Sequence, residues 1–224
     1  MTKAQFISMV FMFTLSFTCI ADTVIKLHGY YHNEKGGALS TKTRVLADIA
    51  LVNEVLRIHN IKGYRFVLGE WSGIDVNTST FYKSSLDGEA YNAYVLIKTL
   101  NTNKSPRIDF YVRDYIADID GSVRGVAVQG GDYFAYTYTG DSDYYAFIHE
   151  LFHTLGLGDT SSPYGNSYAC GGKFTVMDER HLSSDSKTHF LSDPDIIING
   201  QQCGHEVHYD NARKLGELLR LRFP

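Results

Sequence analysis

Residues 147–162, FIHELFHTLGLGDTSS, hold the side chains best suited to chemistry in this 224-residue chain. On a helix, His149 and His153 project from one face, one turn apart. That is the spacing two imidazoles need to share one zinc ion. Glu150 stands one position round from the first histidine, where it can reach a water on such an ion without being a ligand, the place of a general base. Gly156 is predicted to end the helix, because a glycine at the C′ position accepts a positive φ, and the turn can bring Asp159 back as a third ligand. Two imidazoles and one carboxylate leave a fourth position for water, the pattern of a catalytic and not a structural zinc site. The competing reading makes the histidines ordinary core or surface residues and Asp159 a turn former. Glycine and aspartate at these offsets behind HExxH favour the metal.

The remaining chain must position that helix. TVIKLHGYY, from Thr23, alternates and is rich in β-branched and aromatic residues, a strand pattern. STKTRVLADIALVNEVLRIHN puts Val45, Ile49, Val52 and Leu56 on one helical stripe, with Ser40 or Thr41 as the cap. YRFVLGEW reads as a second strand, GEAYNAYVLIKTLN as a second helix and RIDFYVRDY as a third strand. Behind DIDGS come VRGVAVQ and YFAYTYTG, two short strands separated by Gly130 and Gly131. This alternation predicts an α/β layer with a mostly parallel sheet and one antiparallel member at its edge. From Thr160 to about Tyr209 the chain is rich in Ser, Gly, Asp and Asn and is predicted to be irregular. DNARKLGELLRLRF is predicted to close the chain as a helix capped by Asp210 or Asn211, burying Ala212, Leu215, Leu218 and Leu219. Asp114, Asp118 and Asp120 lack the later bidentate glutamate of a calcium loop and read as a solvated turn.

HELFHTLGLGD resembles the metzincin metalloprotease signature HExxHxxGxxH, with aspartate at the third ligand position as in the small secreted bacterial proteases of the snapalysin type. CGGKFTVMDE resembles the Met-turn of that clan, which would place Met177 beneath the metal. HFLSDPDIIINGQQCGHEVHYDNARKL resembles the final segment of reprolysin-like domains. The likeness covers roughly Val123 to Leu218. It implies an α/β (α+β) fold with a twisted five-stranded mixed sheet, two long helices, an active-site helix, the Met-turn and an irregular C-terminal subdomain ending in a helix. It implies zinc-dependent peptide hydrolysis with ligands His149, His153 and Asp159 and base Glu150. VRGVAVQ would be the antiparallel edge strand that holds a protein or peptide substrate as an added strand.

Departures from the pattern are specific. Asp159 replaces a histidine, and its negative charge should leave a bound water less acidified. Glu179 stands two residues past Met177, where astacin-like and serralysin-like enzymes carry a tyrosine. His181, His189, His205 and His208 are alternatives to Asp159, each read first as a surface residue.

Composition narrows the function classes. An apolar run from about Phe6 to Ile20, behind Lys3 and before Ala21, reads as a secretory signal peptide over 1–21, followed by one catalytic domain over 22–224. The run is shorter than a membrane span and interrupted by Ser8, Thr14, Ser16 and Thr18. The formal net charge is −4, one unit more negative without Lys3, which disfavours nucleic acid and anionic membranes as partners. Cys170 and Cys203 are the cysteines outside that run and are expected to form one disulfide in an oxidising, secreted setting. A monomer is expected. Two rival readings remain: a binding or toxin protein on the same scaffold, and a thermolysin-like enzyme, for which Glu179 would be the available downstream glutamate.

Overall fold

The computed structural model describes residues 22–32, 38–75, 86–100, 107–113, 125–137, 144–158, 167–178 and 188–224. The expected signal peptide, the Asp114–Asp120 turn, Asp159, Glu179 and His181 lie outside them. In chain order the elements are β1 (Thr23–His32), α1 (Ala38–Ile58), β2 (Tyr64–Ile74), α2 (Leu86–Leu100), β3 (Arg107–Arg113), β4 (Gly125–Ala127) and β5 (Tyr133–Thr137). Then follow α3 (Tyr144–Leu155), β6 (Ala169–Cys170), β7 (Lys173–Phe174), β8 (Asp193–Ile198), β9 (Gln201–Cys203) and α4 (Asn211–Arg222). The first five strands form one mixed sheet in the order β2-β1-β3-β5-β4. Its first four strands run parallel and β4 lies antiparallel on β5, the edge arrangement expected from VRGVAVQ.

Alternation along the strands explains why the sheet is covered on both faces. Ile108, Phe110 and Val112 of β3, with Phe134 and Tyr136 of β5, join a core made with Val45, Ile49, Val52 and Leu56 of α1 and Phe147, Ile148, Leu151 and Phe152 of α3. Tyr111, Tyr133 and Ala135 point the other way and pack with Ala93 and Ile97 of α2. The predicted stripe of α1 is therefore its buried face. The helix itself begins at Ala38, ahead of the Ser40 or Thr41 cap expected, so Thr41 is an interior helical residue. Asn60, in the left-handed region with φ 55°, ends α1: Asn60 N–H bonds Arg57 O and Ile61 N–H bonds Leu56 O, a Schellman turn.

One contact fixes the outer edge of β2. The Asn53 side-chain amide donates to Phe66 O at 2.9 Å, and its oxygen accepts Phe66 N–H at 2.8 Å. A side chain thus takes the place of a neighbouring strand at that point.

The stretch predicted to be irregular contains two small hairpins, β6–β7 and β8–β9. Both turn through two residues of positive φ, Gly171 (56°) with Gly172 (80°), and Asn199 (50°) with Gly200 (78°). These are the conformations of a two-residue hairpin turn. The Asn-Gly pair in IIINGQQ carried that signal, and the strands around it are too short for periodicity to show. Cys170 and Cys203 form the expected disulfide, with Cα atoms 5.0 Å apart, joining the two hairpins. Asp210 caps α4 by accepting Arg213 N–H at 2.8 Å. Ala212, Leu215 and Leu219 are buried and Leu218 partly so.

Candidate metal centre

α3 is seated by aromatic packing. Phe147, fully buried, meets Phe110, Phe134 and Tyr136 edge to face, with ring centroids 5.5, 5.4 and 5.3 Å away. Each such pair is worth roughly 0.5–1.5 kcal/mol beyond the area buried. With the apolar side fixed, His149 and His153 share the other. Their rings are 4.4 Å apart at 89°, and His149 Nε2 lies 2.9 Å from His153 Nε2.

The protonation of both rings follows from their other nitrogens. His149 Nδ1 is 2.9 Å from Val176 O, and His153 Nδ1 is 2.8 Å from Leu157 O. A carbonyl oxygen only accepts, so each Nδ1 carries the hydrogen, which in a neutral ring leaves a lone pair on Nε2. With both rings neutral, two lone pairs face each other, an arrangement that a cation shared between them, a proton or a metal ion, stabilises. The 2.9 Å spacing is close to the roughly 3.3 Å that separates two nitrogens on one tetrahedral zinc. Backbone carbonyls at the far nitrogens are the usual outer support of histidine ligands. The donor pair therefore fits zinc. Among the described residues no third His, Cys, Asp or Glu completes the group. His189, His205 and His208, held as alternatives, do not join the pair.

Local backbone geometry produces these contacts. Gly156, at φ 109°, ends α3 as predicted: Gly156 N–H bonds His153 O at 2.8 Å and Leu157 N–H bonds Phe152 O at 2.9 Å. This Schellman turn folds Leu157 O back onto the ring of His153. Val176 belongs to the turn Thr175–Asp178, closed by Asp178 N–H to Thr175 O at 3.0 Å. The next residue, Met177, is fully buried, so the turn that carries Met177 also orients His149. Glu150 is buried at 7% exposure and its side chain lies against Gly125 of β4.

Sequence reasoning missed three contributors. Val176 acts through its main chain, which leaves no side-chain signature. His59, just past α1, has a fully buried side chain; its Nε2 accepts Leu191 N–H at 2.9 Å and its Nδ1 lies 2.6 Å from Asp193 Oδ2. Burial alone would raise the Asp193 pKa, but the bonds from His59 and from Asp195 N–H hold it below the usual carboxylate value. Phe190 O then accepts Val176 N–H at 2.9 Å. A continuous path thus runs from His59 through residues 190–191 and Val176 to His149.

Arg222 is the third. Its Nη1 donates to Thr154 O at 2.7 Å, satisfying a carbonyl at the end of α3 with a cation where the helix dipole favours one. Burial draws its pKa below the ordinary guanidinium value. Arg222→Met, which keeps the apolar stem, is expected to lower the unfolding free energy by about 1.5–3 kcal/mol, read from urea unfolding. A loss under about 0.5 kcal/mol, the range of ordinary surface substitutions, would show that this cap does not hold the helix end.

Comparison of the sequence with protein-family models and with curated proteins finds no match. Its fold is similar to that of a chain in a structure described as a chaperone-substrate complex, with a TM-score of 0.66 and 17% identity. The similarity covers 90% of this chain and 35% of that one. This chain thus spans about a third of the length of that neighbour. At this identity the likeness speaks for the fold alone, a mixed five-stranded sheet with helices on both faces.

Proposed function

We propose that this chain is a secreted, zinc-dependent endopeptidase of metzincin type. The observation that carries the reading is the pairing of two tautomer-fixed imidazoles, converging through Nε2 at 2.9 Å, with a buried glutamate in the adjacent helical position. His149 and His153 would hold the ion, with Asp159 as the proposed third ligand. Bound there, zinc would supply a Lewis acid for the scissile carbonyl and for water. Glu150 accepts a proton from the attacking water and returns it to the departing amine. β4, the antiparallel edge strand beside Glu150, holds the substrate backbone as an added strand. Two further features are compatible with a secreted chain. It carries a disulfide, and no helix among the described residues is long and apolar enough to cross a membrane.

The test is zinc content after dialysis, combined with cleavage of a fluorogenic peptide library with and without a chelator. One zinc per chain and chelator-sensitive cleavage that returns with zinc are expected. Stoichiometric zinc with no cleavage of any peptide would point instead to a binding protein on this scaffold. Absence of zinc binding would remove the metal reading altogether.

A further inference from the structure

The side of β4 that faces α3 carries a glycine, Gly125, whereas its cross-strand partner on β5, Tyr136, fills the core on that side. A β-carbon built on Gly125 would lie 2.4 Å from Glu150 Cγ, 2.4 Å from Oε1 and 2.7 Å from Cδ. Real β-carbons do not approach other heavy atoms so closely. Turning the carboxylate alone would not relieve this contact, because Cγ belongs to the stem. The side chain would have to change its first torsions, which a helix restricts, and its carboxylate would swing away. Gly125 is not in the left-handed region, so backbone conformation is not what calls for glycine here.

We infer that Gly125 is a positioning residue for Glu150: the missing side chain forms the slot that sets where the carboxylate stands beside the edge strand. This rests on the endopeptidase reading, in which Glu150 is the base and β4 the substrate-holding strand. The same residue that brings the strand close to the base also fixes the base in place, so one substitution should affect proton transfer more than substrate grip. A misplacement of about 1 Å can cost roughly 100-fold in rate.

The test is Gly125→Ala in the zinc-loaded full chain. The expected result is a fall of roughly 100-fold in kcat with KM nearly unchanged, a displaced acidic limb of the pH profile, and zinc content equal to that of the parent. A second measurement covers poor folding: the Tm values of Gly125→Ala, Glu150→Ala and the double variant form a cycle. Gly125→Ala should lower Tm when Glu150 is present and cost little when Glu150 is alanine, since the methyl then has room. Parental kcat in Gly125→Ala, or an equal Tm loss in both backgrounds, would overturn the inference. If the parent cleaves no peptide, the endopeptidase reading fails first, while the Tm cycle still reports on the slot.

Discussion

Glu150→Gln is expected to lower peptide cleavage by about 10²–10⁴-fold, the contribution typical of a positioned general acid–base, while the chain still takes up zinc and melts at the same temperature. The substitution conserves shape, so the slot beside Gly125 remains filled. An amide has no basic site at neutral pH, so it cannot take the proton that the carboxylate is proposed to accept. His149 and His153 keep their carbonyl partners, Val176 and Leu157, which are independent of residue 150. Steady-state kinetics together with zinc analysis check this, and undiminished turnover would remove Glu150 from the mechanism.

The second large effect is on stability. Replacing both Cys170 and Cys203 with alanine should lower the unfolding free energy by roughly 3–4 kcal/mol, because the bond closes a loop with a sequence separation of 33. Besides close packing of Gly171 against Ile198, two exposed hydrogen bonds join the hairpins among the described residues, Gly171 N–H to Gln201 Oε1 and Asn199 Nδ2 to Gly171 O, both 2.9 Å. Individually these contribute about 0.5–1.5 kcal/mol and cannot compensate. The loosened hairpin also leads into the Thr175–Asp178 turn, so zinc affinity should weaken along with stability. Urea unfolding of oxidised and alanine forms measures the first effect and competition with a chromogenic chelator the second. A loss below about 1 kcal/mol would show that loop closure contributes little here.

The sequence disclosed those parts of the fold that repeat. Alternation in TVIKLHGYY and RIDFYVRDY, and the stripe Val45, Ile49, Val52, Leu56, marked the sheet and α1 because one buried face imposes a period. The common face of His149 and His153 was legible for the same reason, as was the glycine stop at Gly156. What stayed hidden has no period. β6 and β7 are two residues each, shorter than any alternation can mark. The partners of the two histidines are carbonyl groups that every residue possesses. His59 and Asp193 are 134 residues apart, and neither position differs in composition from a surface loop. Gly125 reads in VRGVAVQ as a mere weakening of a strand, and its meaning arises only when α3 is packed against it.

The path from His59 to His149 has a consequence for how little of this chain could act alone. The aim of one imidazole is handed on by the ring of His59 beyond the end of α1, and by peptide groups from the strip ahead of β8 and from the Met177 turn. An excised peptide spanning the two histidines would preserve every letter of HELFH and lose the bearing of its first ring. Whatever ion affinity this chain has is thereby a property of its tertiary assembly, and partial unfolding at any link along the route would be felt as ion release.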